Sequence, residues 1–320
     1  MRGCHRHPRP VQENPEIRRR IERHVAGVYR GRRARRPAAE PWLYLAPALV
    51  WLAAFAIFPL VYTVNLSLRH LADPAQPMVG LRHYVELFND PALLGSLRAT
   101  AIFSVGTLSL SFVLGFAIAL LLASEDLYGQ AFFRTLIILP YLISPIVIGV
   151  AFRLMLHPIL GVVNYVLGTR GVNWLGGANT AMLSVILITT WELTPFFALI
   201  LLAGLLALPQ EPYDAARVDG ATRWQLFRYL TFPLLRPVSM LVLLIGVIDV
   251  LKVFAIIFAS TEGGPARLTE VIGLYIYRTG FRFYRLDYAS ALAVVLVVGI
   301  AGIAFLTMRA LGERTRGEAS

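Results

Sequence analysis

The sequence predicts an all-α membrane protein of six transmembrane helices, with a pair of short helices inserted between the fourth and the fifth. Three observations carry the prediction. Hydrophobic residues make up 57% of the 320 positions and charged residues only 15%, whereas ordinary soluble domains carry about a quarter charged residues. Mean hydropathy is +0.64. Six apolar stretches, at 43 to 68, 93 to 123, 133 to 156, 180 to 206, 238 to 260 and 286 to 308, each reach the ~20 residues that a helix needs to cross a bilayer.

The chain begins with a different composition. Its first 40 residues hold twelve Arg against four Glu, and Lys252 is the only lysine, so much of the net charge of +11 belongs to this tail. The stretch "EIRRRIERHVAGVYRGRRARRPAAE" stays polar until Trp42. A secretory signal would need an apolar segment soon after its charges, so residues 1–40 are read as an Arg-rich cytoplasmic tail, disordered or partly helical. A solvated tail or an over-extended start of translation is the preferred reading of this charge, with contact with anionic membrane lipid as the functional alternative. No nucleic-acid partner is expected. The single cysteine, Cys4, excludes an intramolecular disulfide framework.

Several of the apolar stretches contain proline, as at Pro47, Pro59, Pro140, Pro145 and Pro195. Transmembrane helices accept proline where neighbouring groups satisfy the freed carbonyls. An even number of spans puts both termini on one side. With the N-terminus inside, 20 Arg fall inside against eight outside; without the tail the count is eight against eight. The positive-inside rule therefore places both termini in the cytoplasm on the strength of the tail. The outer segments at 69 to 92 and 261 to 285 are too short for separate domains. One membrane domain, residues 41–309, carries the function, followed by a short cytoplasmic tail at 310–320.

About thirty residues, 207–237, join the fourth and fifth stretches, long for an idle connection. Pro212 suits the opening of a helix, Ala215 and Ala216 favour one, and Gly220 supplies a left-handed cap. Thr222 with Gln225 then forms a capping-box pattern before "LFRYL". Pro233 and Pro237 separate this second helix from the fifth stretch. Asp214 and Arg217 are neighbours three apart, Ala215, Ala216 and Ala221 permit close approach, and Trp224 and Phe227 offer apolar anchors. Two readings fit: a docking surface for another protein, or an amphipathic hairpin lying in the membrane interface.

"DAARVDGATRWQLFRYLTFPLLRP" resembles the EAA loop of ABC-importer permeases, with Asp214 at the family's Glu, Ala215 and Ala216 at its alanines, Asp219, Gly220 and Ala221 at its D-G-A, and Pro233 at its terminal proline. The resemblance extends from about residue 43 to 309. "GLRHYVELFNDPALLGSLRAT", "FFRTLIILPYLISPIVIG", "WELTPF", "TEGGP" and "IYRTGFRFYRLDYASALAVVL" are similar to the carbohydrate branch, the maltose and glycerol-phosphate permease type. In such permeases the loop is a coupling helix that enters a cleft of the ATP-hydrolysing subunit. The resemblance implies that Asp214, Ala215, Ala216, Arg217, Asp219, Gly220 and Ala221 make that contact. The Asp at position 214 is one methylene shorter than the family's Glu.

Energy must come from elsewhere. A P-loop needs Gly-Lys-Ser/Thr after a glycine-rich turn, and Lys252 follows Leu251 inside an apolar stretch. No His-Glu-x-x-His, Cys-x-x-Cys or G-x-S-x-G pattern occurs, so neither a catalytic site nor a metal site is expected in this chain, and ATP and magnesium belong to a partner.

Charges within spans are candidates for function because burying one in a bilayer costs a few kcal/mol or more. Glu192 lies in the fourth stretch, Asp249 and Lys252 in the fifth. Asp249 and Lys252 are three apart and can neutralise each other as a structural ion pair. Glu192 has no such neighbour and must face another helix, a water-filled cavity or Lys252. The resemblance places Trp191, Glu192, Phe196, Asp249 and Val250 where a maltose permease lines its sugar pocket, with Lys252 beside them. Carboxylates accept hydrogen bonds from hydroxyls and aromatic rings cover pyranose faces, although Trp191 and Phe196 also suit plain packing. Two acids would repel a phosphate group. Tyr141, Ser144 and Pro145 either border the path or pack, and "TEGGP" reads as a helix stop.

The expectation is a permease subunit of a binding-protein-dependent ABC importer in the bacterial cytoplasmic (inner) membrane, carrying a sugar, oligosaccharide or polyol. A second, homologous permease would complete a heterodimer, two ABC ATPase subunits would dock from the cytoplasm, and an extracytoplasmic solute-binding protein would deliver the solute. Two rivals stand beside it: an ion-gradient-driven secondary transporter with Glu192 or Asp249 as its ion site, and a membrane anchor that recruits a partner without transport.

Overall fold

The computed structural model describes residues 16, 19–20, 40–71, 78–124, 128–169 and 171–317. The expectations for the N-terminal tail therefore lie almost wholly outside the described residues. Among the described residues the chain is helical apart from turns and one isolated bridge between Arg69 and Met78.

The chain divides into two units, residues 1–61 and 62–320. The first holds α1 (Glu40–Leu52), a π-helical turn at Ala53–Ile57, and the opening of α2 (Phe58–Ser67). None of the side chains from Tyr44 to Val61 is buried within the chain. The apolar segment Tyr44–Ser67, 24 residues long, is long enough to cross a bilayer.

The second unit starts within α2. An isolated bridge pairs Arg69 with Met78, and α3 (Arg82–Phe88) and α4 (Pro91–Ala123) follow. Asp90 caps α4 by accepting from the Ala92 N–H at 2.9 Å, with proline in the first turn, the arrangement that satisfies a free helix N-terminus. At 33 residues, α4 is about 50 Å long, more than the ~30 Å of a hydrocarbon core.

The third apolar stretch is not one helix, as 133 to 156 would have been. It forms α5 (Gln130–Leu142) and α6 (Pro145–Met155), bent by 91°. Ile143 and Ser144 are extended, because a residue before proline is pushed out of the helical region and Pro145 opens the next helix. A short α7 (Val162–Val166) precedes α8 (Ala181–Leu206), which runs unbroken through Pro195.

The predicted pair of short helices follows: α9 (Glu211–Val218) and α10 (Arg223–Leu226). A π-turn at Phe227–Thr231 and the short α11 (Phe232–Leu234) lead through a 62° bend into α12 (Arg236–Leu251). The fifth stretch also differs from its expected form. Instead of running to 260, the helix ends at Leu251, and α13 (Ala255–Ser260) begins after a three-residue break. The chain closes with α14 (Ile272–Tyr277), a π-turn at Arg278–Arg282, and α15 (Leu286–Gly317). The apolar part of α15 ends at Arg309, and the helix itself continues to 317. Among the described residues four helices are long and apolar enough to cross a membrane, or up to six spans if each bent pair is one.

The core of the second unit joins α4, α8 and α12. Phe103, Phe116, Val185, Phe197, Leu201 and Val242 are buried in it. A Cβ at Gly246 would come within 2.4 Å of the Phe197 ring, so the absent side chain lets α12 close on α8. In lipid such close van der Waals contact, rather than exclusion of water, drives helix association. A smaller cluster of Ile148, Ile188 and Ile256 packs α6, α8 and α13 together.

Candidate functional site

Both helix breaks open onto one cavity of about 610 Å³, within the ~300–1,000 Å³ common for small-molecule sites. Tyr141 and Pro145 contribute from the break between α5 and α6. Thr189, Glu192 and Leu193 contribute from α8. Asp249, Val250, Lys252, Val253 and Phe254 come from the end of α12 and the break after it, and Ala255 and Ile256 from α13. Irregular backbone at membrane depth is tolerated where it lines such a cavity.

Lys252 Nζ lies 3.2 Å from Asp249 Oδ1, and both side chains are about half exposed. Among the described residues Glu192 makes no ion pair. The wall thus presents two carboxylates, one ammonium and the hydroxyl of Tyr141, while the Thr189 hydroxyl is buried. Six of the sequence candidates, Tyr141, Pro145, Glu192, Asp249, Val250 and Lys252, meet here. Ser144, Phe196 and Trp191 do not line the cavity. Phe196 stacks on Tyr141 with ring centroids 5.1 Å apart, so it backs a wall residue, while Trp191 packs edge-on to Phe152 at 5.4 Å. On α8 the cavity is lined by Thr189, Glu192 and Leu193, which lie three and four positions apart, while Trp191 is turned toward Phe152. Thr189, Leu193 and the stretch 253–256 were not among the residues the sequence singled out. No Gly or Pro lies between Gly246 and Gly263, so nothing local announced the break that exposes them.

The exposed helical pair is built as its residues prescribe. Gly220 has φ +81°, and the Ala221 N–H donates to the Ala216 carbonyl at 2.9 Å, closing α9 with the left-handed glycine cap. The Gln225 N–H donates to Thr222 Oγ1 at 3.4 Å while the Thr222 N–H donates to Gln225 Oε1 at 2.7 Å, the reciprocal box that starts α10. Asp214 and Arg217 pair at 3.1 Å in solvent. Tyr213 donates to Thr231 at 3.1 Å, and Phe227 meets Phe116 edge-on at 5.7 Å; these two contacts tie the pair to the helices behind it. Trp224 remains 69% exposed and stacks on Phe227 at 5.5 Å. Ala216, Asp219, Gly220, Ala221, Gln225 and Tyr229 help line a groove of about 400 Å³ between the two helices. The expected turn after the fifth stretch is also present: α13 stops at Ser260, ahead of the "TEGGP" segment.

The family model for the binding-protein-dependent transport system inner membrane component matches residues 111–317. The chain belongs to this family. The permease is 36% identical over 285 residues to a probable ABC transporter permease protein, y4oQ, of Sinorhizobium fredii, an alignment covering 87% of this chain and 91% of that one. It is 34% identical to the trehalose/maltose transport system permease protein MalF of Thermococcus litoralis, over 84% of this chain and 92% of the relative. It is 32% identical to the sn-glycerol-3-phosphate transport system permease protein UgpA of Agrobacterium fabrum, covering 86% and 95%. The last two relatives are named for the maltose and glycerol-phosphate type to which the quoted motifs are similar. Among solved structures, a bacterial ABC transporter involved in the import of the acidic polysaccharide alginate superposes with a TM-score of 0.75 at 24% identity, over 93% of this chain and 99% of that one. The permease is a multi-pass inner-membrane protein with the ABC-permease fold.

Proposed function

We propose that this permease carries a sugar, oligosaccharide or polyol inward through the cavity between α5, α8, α12 and α13. The observation that carries the reading is the meeting of Glu192, Asp249, Lys252 and Tyr141 on one cavity wall where two helices are interrupted. Carboxylates and a hydroxyl so arranged accept and donate hydrogen bonds to a polyhydroxylated solute, and the Phe196–Tyr141 stack stiffens an aromatic edge for a sugar ring. The relatives named for trehalose, maltose and glycerol phosphate support this solute class. Two acids against one lysine favour a neutral solute over a phosphorylated one.

In this reading the α9–α10 pair is the coupling element. Asp214, Ala215, Ala216, Arg217, Asp219, Gly220 and Ala221 contact an ATPase that binds the nucleotide and magnesium, no cofactor being held by the permease itself. Two ATPases, a second homologous permease and an extracytoplasmic solute-binding protein complete the importer, with both termini in the cytoplasm. ATP binding closes the ATPases and turns the cavity outward; hydrolysis resets it. Each ligand drives this cycle only by binding one of the two states preferentially.

The test is a pull-down of the tagged permease from native membranes in mild detergent, with mass spectrometry of its companions and reconstituted uptake. Recovery of an ATPase, a second permease and a sugar-binding protein, with ATP-dependent uptake, supports the proposal. A chain recovered alone that moves solute down a proton or sodium gradient would replace it with an ion-driven carrier using Glu192 or Asp249.

A further inference from the structure

His70 and His83 follow the first span, and Asp287 opens α15. No sequence spacing links them, yet the fold places one ligand atom from each within 4.8 Å of the others. His70 Nδ1 lies 3.1 Å and His83 Nε2 3.6 Å from Asp287 Oδ2. Zinc bound tetrahedrally at about 2.0–2.2 Å separates its ligand atoms by roughly 3.4 Å, so both spacings are close to the edge of such a polyhedron. His83 and Asp287 are buried, while His70 is about a third exposed and leaves a route for an ion and a solvent ligand.

The second observation concerns the far side of His83. Its Nδ1 is buried and makes no hydrogen bond, although Glu86 Oε2 stands 3.7 Å away. Glu86 is held in place by Arg285 at 2.7 Å. On the near side, Nε2 lies 3.0 Å from the Arg69 carbonyl. A neutral His83 that donates from Nε2 turns a bare nitrogen toward a carboxylate. An ion on Nε2 moves the proton to Nδ1, where Glu86 can accept it, and sets a cation beside the Arg69 carbonyl. Metal-bound histidines commonly hand their second N–H to a carboxylate in this way. Asp287 also accepts from the Leu71 N–H at 3.2 Å and the Tyr288 N–H at 2.8 Å, both compatible with a carboxylate that also ligates, and it feels the charge of Arg285, whose guanidinium is itself paired with Glu86 at 2.7 Å.

We propose that His70, His83 and Asp287 bind a divalent first-row transition ion, of which zinc is the probe, with Glu86 orienting His83. Imidazole with one carboxylate suits ions of this group. The bound ion would fasten the segment after α2 and the helix α3 to the start of α15. The site is independent of the solute pathway.

The experiment uses the full-length permease, purified in detergent without a histidine tag, stripped with chelator, reloaded with zinc or cobalt and dialysed free of unbound ion. Zinc stoichiometry is measured by elemental analysis, affinity by competition with a chromophoric chelator, and geometry by the visible spectrum of the cobalt form. One zinc per chain is expected, with a tetrahedral cobalt spectrum. His70→Ala should abolish the binding while eluting as a folded protein, and Glu86→Gln should weaken it by about 10–100-fold. The N-terminal segment carries further ligand-capable residues, Cys4, His5 and His7, so a triple Cys4→Ser, His5→Ala, His7→Ala variant serves as control and should bind as the parent does. Absence of zinc from the parent protein, undiminished binding in His70→Ala, or loss confined to the triple variant would each overturn the proposal.

Discussion

Lys252 reaches back to Asp249 across 3.2 Å at the end of α12, while Glu192 faces the same cavity from α8 with no ion pair among the described residues. The three charges are therefore unequal: one acid is matched locally, and the other is free to meet a solute. Glu192→Gln keeps the shape and removes the charge. A hydrogen bond to a charged group is worth about 1.5–3 kcal/mol, so KM for ATP-driven uptake should rise by ~10-fold or more with expression unchanged. Normal uptake by this variant would remove Glu192 from the solute site.

Asp249→Asn should behave differently. It strands Lys252, but both groups are about half exposed, and solvent-screened pairs are worth about 1 kcal/mol or less. Assembly should survive and uptake should fall. Loss of the assembled complex instead would mean that the pair acts as glue between helices.

Asp214→Arg and Gly220→Pro both alter the α9–α10 pair and leave the cavity untouched. Position 220 sits at φ +81°, outside the range proline can adopt, so the helix end must rearrange. Both variants should insert normally and lose ATP-driven uptake, with the ATPase missing from pull-downs of Asp214→Arg. Full uptake in both would end the coupling role.

Gly246→Leu places a side chain where Phe197 already stands, the nearest ring carbon being 2.4 Å from the new Cβ. Overpacking of this kind costs about 1–3 kcal/mol, and α12 would be pushed from α8. The apparent Tm of the purified protein should drop by several degrees; an unchanged Tm would show that the helices can part without cost.

Asp90 gathers three donors: the hydroxyl of Tyr275, that of Tyr288 at 2.7 Å, and the Ala92 N–H at 2.9 Å. Burial works against its charge, but these bonds and the Leu93 N–H outweigh it, and its pKa lies below the ordinary 3.8. Burial and then the Asp90 carboxylate push the Tyr275 hydroxyl the other way, up to about 12. A carboxylate lowered by folding stabilises the protein fully above its ordinary pKa and ceases to do so as pH falls through the lowered one. Asp90→Asn retains a capping side chain but not the charge, so its Tm should be lower at pH 7 and converge on the parent's below about pH 4. A gap of constant size from pH 7 to pH 3 would contradict the linkage.

The sequence by itself determined what depends on a residue and its near neighbours. The apolar stretches became helices, Thr222 and Gln225 made their box, Gly220 took its left-handed turn, and Asp249 found Lys252, because each of these needs only partners within about five positions. Pro145 likewise marked the break in the third stretch, although the six-span reading passed over it. Tertiary structure alone decided the rest. The fifth stretch breaks after Leu251 with no Gly or Pro to signal it, and α13 is instead held by packing on α6 and α8 through Ile148, Ile188 and Ile256. That break brings Val253 to Ile256 onto the cavity with Glu192. The contact of His70 with Asp287 spans 217 positions. Hydropathy places a segment in the bilayer, but which faces meet there is settled by the shapes of helices far apart in the chain, and no window along the sequence contains that information.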